Sequence, residues 1–334
     1  MANYSLIKYF VVPTLLVASP HLSAASPNRS INFGIDNDSI LTTDKDYTNG
    51  LFLSYSDSFD IQPNGFFDSL PGRHFSATSS HGKVHKFNIK IGQKMWTPED
   101  IENPNPILDE RPYAGLLYLS SSLYSISPSV INHYSLLLGT VGPNAYAEES
   151  QKYVHGLIKS AEPKGWHNQI SNQLVFNLGY HRTDKWYQSP FNNSTSHEIT
   201  TPVRVLAGTY KSEVAAGAMW RWGTELQDSF GSARVSNEST LDPSLIIRGN
   251  RGWYLFSGIE GRLRFNDITI DGKRPDDGIT ADEVQPIQGT ATIGLTGYYQ
   301  GWGASLAISS KTPDYKEDQN PLHTNGSLAF FWLF

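Results

Sequence analysis

Short runs in which apolar and polar residues alternate fill most of this chain, and they limit its possible folds more than any other feature. Leu51, Leu53 and Tyr55 alternate with Ser54 and Ser56, and the pattern returns around residues 254–261 and 290–295. A period of two indicates β-strands with two unlike faces. After residue 25 no stretch of about 18 apolar residues occurs, the length that a transmembrane helix needs. The sequence therefore predicts an all-β fold.

Twelve such runs are present, an even number, and most have the roughly 9 to 11 residues that a tilted strand needs to cross a bilayer. Closing the sheet into a barrel pairs every backbone group and leaves no exposed edge. A soluble β-sandwich shows the same period, so this signal alone does not separate the two folds. The predicted strands span 31–38, 47–57, 84–94, 112–124, 131–141, 169–181, 201–210, 214–225, 251–264, 287–299, 302–310 and 326–334.

The last run favours the membrane. "NGSLAFFWLF" places Leu328, Phe330, Trp332 and Phe334 on one face and ends in an aromatic residue. An apolar strand left as an exposed edge promotes aggregation in a soluble protein. The run resembles the final strand by which bacterial outer-membrane barrels are recognised during assembly. We therefore predict a twelve-stranded antiparallel transmembrane β-barrel.

The first 25 residues have the layout of a secretory signal peptide. Lys8 precedes an apolar run that is too short to span a bilayer, and small residues follow up to Ala25. We expect residues 1–25 to be the signal peptide and 26–334 to form the barrel. The chain has no cysteine, which excludes disulfides and metal-thiolate sites, and its net charge of -6 gives no sign of a nucleic-acid partner.

One segment, between the fifth and sixth predicted strands, does not alternate. Residues 142–166 begin with turn residues and then place apolar side chains three and four apart, as an amphipathic helix does. Glu148, Gln151 and His155 recur at the same spacing on the neighbouring stripe and share a polar face. Pro163 and Gly165 end the pattern. The sequence predicts a short amphipathic helix in an extracellular loop.

The strand order decides which connections meet at one end of the barrel. With the N-terminus on the periplasmic side, each connection after an odd-numbered strand falls on the outer rim. The connections at 58–83, 182–200 and 226–250 are long for periplasmic turns. Six polar residues are predicted to converge on the outer rim: Asn37, Asp38, Thr48, Arg111, Gln151 and His155.

Three blocks of the sequence, in order, carry a family resemblance. They are "NDSILTTDKDYTNGLFLSYS", "DERPYAGLLYLS" and "GTVGPNAYAEESQKYVHGLIKSAEPKGWHNQI". They resemble the signature blocks of the outer-membrane lipid A 3′-O-deacylase family. The third block is the most specific, with Gly-Pro, Gln-x-x-x-His and a later Trp-x-x-Gln-Ile. The resemblance covers residues 31–181 clearly and the remainder chiefly by strand pattern.

The resemblance implies a barrel in the bacterial outer membrane, surrounded by outer-membrane lipids. It implies a need for a divalent ion, typically Ca²⁺, and hydrolysis of the ester-linked acyl group at the 3′ position of lipid A, so that lipopolysaccharide is the substrate. We expect a monomer. The family's Asn-Asp pair falls on Asn37 and Asp38, its Tyr-Thr on Tyr47 and Thr48, and its Gln-x-x-x-His on Gln151 and His155.

The chemistry of ester hydrolysis suggests a role for each of these residues. Imidazole titrates near pH 6.5, which makes His155 the natural general base on water, with Gln151 orienting the water or the ring. The oxyanion needs positive charge or donors, which Ca²⁺ held by Asp38 and the Asn37 amide would supply. Thr48 adds one more oxygen or donor.

Arg111, or Lys45 at the first bend, is the candidate partner for the lipid A phosphates. Here the chain departs from the family. Members carry a Lys-Arg pair in the loop after the third strand, whereas this loop reads "EDIENPNPILDER", with Arg111 as its only cation.

Two other functions fit parts of the sequence. "NHYSLLLG" places His133 and Ser135 two apart on one strand face, resembling the His-x-Ser of outer-membrane phospholipase A, in which the serine is the nucleophile. Because Tyr134 and Leu136 take the lipid face, this pair is expected in the lumen, near the periplasmic end. A pore or adhesin, with loops that only bind partners, is the non-enzymatic alternative.

Overall fold

A computed structural model describes residues 29–38, 46–61, 83–107, 110–236, 238–247, 250–276 and 282–334. The predicted signal peptide, cleavage site and Lys45 lie outside these residues. Within the described part of the chain, twelve antiparallel strands close into one barrel, in which β1 pairs with both β2 and β12. The predicted all-β barrel is thus confirmed. Among the described helices, none is both long and apolar enough to cross a membrane.

The strands lie close to their predicted positions. They are β1 Ser30–Asn37, β2 Asp46–Ser58, β3 Val84–Thr97, β4 Ala114–Ile126, β5 Val130–Val141, β6 Gln173–Pro190, β7 Ser196–Gly208, β8 Lys211–Gly223, β9 Arg251–Asp267, β10 Ile287–Tyr299, β11 Trp302–Lys311 and β12 His323–Leu333. Helix α1 spans Ala147–Ile158, and the short helix α2 spans Ile268–Asp271.

The largest difference concerns the predicted connection at 182–200. Most of it is strand, because β6 continues to Pro190 and only residues 191–195 turn the chain. Charged residues in this segment break the apolar alternation, yet they pair within the sheet. Lys185 of β6 lies 3.4 Å from Glu198 of β7. The polar extension is therefore held by its neighbour strand.

Alternation along the strands separates a lipid-facing surface from a lumen. Ile31, Phe33 and Ile89 lie among the exposed apolar side chains of the outer surface. The alternate positions point inward and are largely polar, as in transmembrane barrels. The face of β12 predicted from its sequence is the outer one, where Trp332 stacks on Trp302 and Phe334. Both of its edges are paired, so this strand is not an exposed edge.

The barrel has two distinct ends. The loop rim carries the connections after odd-numbered strands: 38–45, 98–113, 142–172, 209–210, 268–286 and 312–322. The terminal rim carries the other connections and both ends of the sheet, where the Arg29 N–H donates to the Phe334 carbonyl over 3.1 Å. The long connection 224–250 starts at the terminal rim and folds into the lumen.

Candidate active site

Three strand ends at the loop rim present polar residues on the outer surface of the wall. Asn37 follows Ile31 and Phe33 on the outward face of β1. A β-bulge makes Thr48 the extra residue of β2. Its Oγ1 lies 2.7 Å from Oγ1 of Thr97, which stands on the outward face of β3. This outward placement puts the polar group against the membrane side of the barrel.

Helix α1 covers the same stretch of wall from outside. Gln93 of β3 donates its Nε2 to the carbonyl of Ala145, just before the helix, over 2.6 Å. Met95, Ala147 and Trp166 form one buried cluster with Tyr113. The approach requires a glycine in β4, because a Cβ at residue 115 would lie only 2.6 Å from the Cβ of Ala147. The helix is therefore packed tightly on the wall beside Thr97.

The two faces of α1 are used in an unusual way. Residues four apart share a stripe on a helix, and Ala147, Gln151 and His155 form the stripe that is buried against the protein. The apolar residues of the predicted amphipathic helix are not buried against the protein. They point outward, with Leu157 66 % and Ile158 67 % exposed. Such an arrangement suits a helix whose outer surroundings are lipid rather than water.

Gln151 is held by an aromatic pair. The indole Nε1 of Trp166 donates to Gln151 Oε1 over 2.7 Å, and the Trp166 ring packs on Tyr113 with centroids 4.9 Å apart. The Gln151 side chain is only 2 % exposed. Among the described residues, its Nε2 meets no acceptor. Because a buried donor without an acceptor is costly, this amide is placed to bind an oxygen that arrives from outside the chain.

His155 has one ring nitrogen engaged. Its Nδ1 lies 2.6 Å from the carbonyl oxygen of Ala161, which can only accept, so Nδ1 carries the hydrogen of the neutral ring. In this tautomer, Nε2 is the nitrogen with a lone pair to accept a hydrogen bond. The Ala161 carbonyl fixes both the tautomer and the ring orientation, as the partner of a general base does.

The wall residues and the helix are linked through β3 at the loop rim. Asn37 pairs in register with Asn49, next to Thr48. Thr48 forms a hydrogen bond with Thr97 of β3. Met95 lies two residues before Thr97 on the same face of β3 and packs against the helix that carries Gln151 and His155. Asp38 follows directly on Asn37 and is almost fully buried. Of the predicted residues, Asn37, Thr48, Gln151 and His155 thus lie at the loop rim on the outer side of the wall, and Asp38 follows Asn37 at the same end.

Arg111 lies on the other side of the wall. Its guanidinium packs over Trp96, an inward residue of β3, and donates from Nη1 to Asp314 over 2.8 Å and from Nη2 to Thr269 over 2.9 Å. It is 2 % exposed. These contacts anchor three loops of the rim to one another. They give Arg111 a structural role, and its contact with a substrate phosphate stays a prediction.

Asp314 is the centre of this anchor. Burial alone would raise its pKa, but Lys311, Arg264 and Arg111 around it hold the pKa well below the usual range. A carboxylate with a depressed pKa stabilises the fold above its unfolded-state pKa and loses that contribution as the pH falls. The loop rim is therefore secured by charge at neutral pH.

Replacing Arg111 with methionine should destabilise the barrel by about 1–3 kcal/mol, because Asp314 keeps Lys311 and Arg264 but loses one charged hydrogen bond, and Thr269 loses its donor. The measurement is the temperature at which the folded band disappears in heat-modified gel electrophoresis. Lys152→Met is the matched control, since the exposed Lys152–Glu148 pair is worth about 0.5 kcal/mol or less. Equal melting of the two variants would contradict the anchoring role.

His133 and Ser135 point into the lumen, as the strand pattern predicts. His133 stacks on the Tyr124 ring at 4.3 Å and contacts His181 at 4.6 Å. His133 and Ser135 both line a cavity of about 220 Å³ in the lumen. Tyr124 in turn donates to Asp242 of the connection that fills the lumen. The pair therefore faces a filled interior, away from the lipid surface that an outer-membrane phospholipase needs.

A model of the family described as outer membrane protein LpxR matches residues 10–334 of the chain. This chain belongs to the LpxR family. The resemblance of its sequence blocks to lipid A deacylases is thereby confirmed at the level of the family, and so is its location in the bacterial outer membrane.

Two solved structures of outer-membrane proteins are similar to this chain to different degrees. The structure of LpxR from Salmonella typhimurium has a TM-score of 0.76 at 16 % identity, covering 91 % of this chain and 100 % of that one. The β domain of the Bordetella autotransporter BrkA has a TM-score of 0.43 at 7 % identity, covering 93 % and 100 %. No curated protein matches the sequence. At 16 % identity, the likeness to the LpxR structure shows the fold alone.

The candidate site contains oxygen donors suited to a hard cation. Within the described residues, no three His, Asp or Glu side chains come together as a metal-binding group. Asp38 offers a carboxylate, Asn37 an amide oxygen and Thr48 a hydroxyl, and Ca²⁺ accepts all three kinds of ligand. The chemistry of the donor set therefore fits Ca²⁺, with one negative charge among these three side chains.

Sequence reasoning missed several residues that build the site. Trp166 donates a hydrogen bond to Gln151, but the sequence analysis assigned it no role, although it lies in the third block. Its fixed spacing from Gln151 within that block was the one feature that could have indicated the contact. Thr97 and Met95, the wall beneath the helix, carry no such signal. Their importance depends on the bulge at Thr48 and on the packing of Ala147.

Proposed function

We propose that this LpxR-family protein is a Ca²⁺-dependent, monomeric lipid A 3′-O-deacylase. It hydrolyses the ester that links the 3′-acyloxyacyl chain to the sugar in the outer leaflet. The loop rim is taken as the external end, since outer-membrane barrels carry their longer loops outside. One observation supports the proposal most strongly: His155, with its Nδ1 engaged by the Ala161 carbonyl, is carried by the stripe of α1 that packs on the outer side of the wall at the loop rim.

The first step forms the new bond. His155 Nε2 accepts a proton from a water molecule while the water oxygen attacks the carbonyl carbon of the ester. Gln151 Nε2, buried without an acceptor among the described residues, donates to that water and orients it. The Ala161 carbonyl stabilises the imidazolium, because it accepts the Nδ1 hydrogen. A tetrahedral intermediate with one negative oxygen results.

The second step breaks the ester. The bond between the carbonyl carbon and the sugar oxygen cleaves, and the imidazolium returns its proton to the leaving oxygen. The products are a free acyloxyacyl acid and lipid A with a hydroxyl at the 3′ position. Ca²⁺, held by Asp38, Asn37 and Thr48, would stabilise the negative oxygen when bound.

The decisive assay combines the purified protein in detergent with lipid A and Ca²⁺. We expect mass spectrometry to show loss of one acyloxyacyl chain from the 3′ position. Phospholipid cleavage that Ser135→Ala abolishes would instead support the phospholipase alternative. Hydrolysis of neither lipid would overturn the enzymatic proposal and leave the pore or adhesin.

A further inference from the structure

The connection between β8 and β9 fills the lumen instead of closing the terminal rim. This inner loop, residues 224–250, is described at 224–236, 238–247 and 250. Its Leu226, Val235, Leu241 and Ile246 join one buried cluster with inward side chains of β9 to β12, including Phe256. At its base, the Leu226 carbonyl accepts a hydrogen bond from Arg221 of β8 over 2.9 Å. Apolar packing thus fixes the loop inside the barrel.

The tip of the inner loop reaches the opposite end of the lumen. Glu238 forms an ion pair with Lys94, three residues before the end of β3. Ser239 donates its backbone N–H to Asp36 Oδ2 over 2.9 Å, and Lys90 donates to Ser239 Oγ over 3.2 Å. Asp36 is the residue next to the end of β1. A segment that enters from the terminal rim therefore ends directly behind the candidate site.

Asp36 is where the tip meets the wall. Its carboxylate accepts three hydrogen bonds from three elements: Ser239 of the inner loop at 2.9 Å, the hydroxyl of Tyr47 in β2 at 3.1 Å and Ser327 of β12 at 2.6 Å. The side chain is completely buried. Asp36 points into the lumen, and the next residue, Asn37, points outward into the site. One carboxylate thus ties the backbone that carries Asn37 and Asp38 to its surroundings.

The backbone of the tip is also specialised. Ser239 has φ of 55°, in the left-handed region, where residues other than glycine are uncommon. This conformation persists only when the surroundings hold it, and such residues cluster where a precise geometry is needed. Here it occurs at the residue whose N–H reaches Asp36.

We propose that Ser239 and Asp36 are positioning residues for the deacylation site. The inner loop, acting through the Asp36 carboxylate, holds the end of β1 so that Asn37 and Asp38 keep their places opposite His155. The inference rests on the proposed function. A misplacement of about 1 Å can cost an enzyme about 100-fold in rate, so support of this kind has a measurable effect on the reaction.

The test compares Asp36→Ala, Ser239→Pro and the double variant, all as full-length protein in detergent with lipid A. Ser239→Pro removes the N–H donor and is incompatible with a positive φ. We expect each single variant to lower kcat about 100-fold and to raise the Ca²⁺ concentration for half-maximal activity, with KM for lipid A unchanged. The double variant should be no slower than Asp36→Ala, since both changes break the same link.

Three further variants separate positioning from folding. Asp36→Asn keeps an oxygen acceptor for Ser239 and should recover most of the activity lost in Asp36→Ala. Glu238→Gln weakens the tip without changing its backbone and should show a smaller rise in the Ca²⁺ requirement. Glu225→Gln, an exposed change at the base of the loop, should match the wild type. The heat-modified gel mobility of each variant shows whether its barrel is folded. If a variant lacks the mobility of the folded barrel, the comparison uses Glu238→Gln in its place.

The outcomes separate the two proposals. If the wild type removes no acyl chain from lipid A, the proposed function fails. Suppose instead that the wild type is active. The positioning role is then overturned if Ser239→Pro or Glu238→Gln is folded and has the same kcat and the same Ca²⁺ dependence as the wild type. Losses that multiply in the double variant would also overturn it, because the two residues would then act independently.

Discussion

His155→Ala should abolish deacylation of lipid A, with a loss of about 10²–10⁴-fold, the usual contribution of a general base. The structure gives the reason. Nδ1 is engaged by the Ala161 carbonyl, which leaves Nε2 as the nitrogen that would take the proton from water in the proposed reaction. Gln151 and Thr48, its neighbours in the site, cannot act as bases near neutral pH. The measurement is the initial rate of acyl-chain release by mass spectrometry at saturating Ca²⁺.

A second histidine on the same connection provides the control. His167 lies in the short 3₁₀-helix Trp166–Asn168 and is exposed. His167→Ala should retain wild-type activity, and both variants should keep the heat-modified gel mobility of the folded barrel. Retention of more than about a tenth of the rate in folded His155→Ala would be incompatible with general-base catalysis by this residue.

The second large effect concerns the ion. We expect a Ca²⁺ chelator to stop the reaction and added Ca²⁺ to restore it. Asp38→Asn should raise the Ca²⁺ concentration for half-maximal activity by at least about tenfold, because loss of even an indirect metal contact costs 10–100-fold in affinity. Asp38 would supply the negative charge among the three proposed ligands, and it is almost fully buried.

Glu149→Gln is the matched control, since this carboxylate lies exposed on α1. It removes the same charge near the rim without touching the proposed ligands, and its Ca²⁺ dependence should equal that of the wild type. An equal shift in both variants would mean that the effect comes from the general field of the rim. Full activity of the wild type in the chelator would remove Ca²⁺ from the mechanism.

The strand pattern was sufficient to predict the fold because lipid and lumen impose opposite requirements on alternate residues. The positions of β5 and β10 differ from the predicted runs by one residue or less. The polar extension of β6 was missed, because its stability comes from pairing with β7 and not from apolar alternation. Apolar alternation therefore predicts the lipid-facing part of a strand better than a polar extension of the strand beyond the membrane.

The geometry of the candidate residues was predictable only where they are close together in the sequence. Gln151 and His155 share a helical stripe, and Asn37 and Asp38 are adjacent. The partners of Arg111, in contrast, lie 158 and 203 residues away, so the short sequence block around it could not distinguish an anchor from a phosphate contact. The inner loop was visible only as a long connection. Its path depends on packing against Phe256 and on the bond to Asp36.

The outward position of the candidate site determines how such an enzyme meets its substrate. Helix α1 turns Leu157 and Ile158 to the surroundings while its buried stripe faces the wall. A lipid would reach this cleft by sideways diffusion in a single leaflet, without being extracted into water. Turnover would then depend on how many substrate molecules occupy each unit of membrane area, and the height of the cleft would select which ester along a lipid is cut.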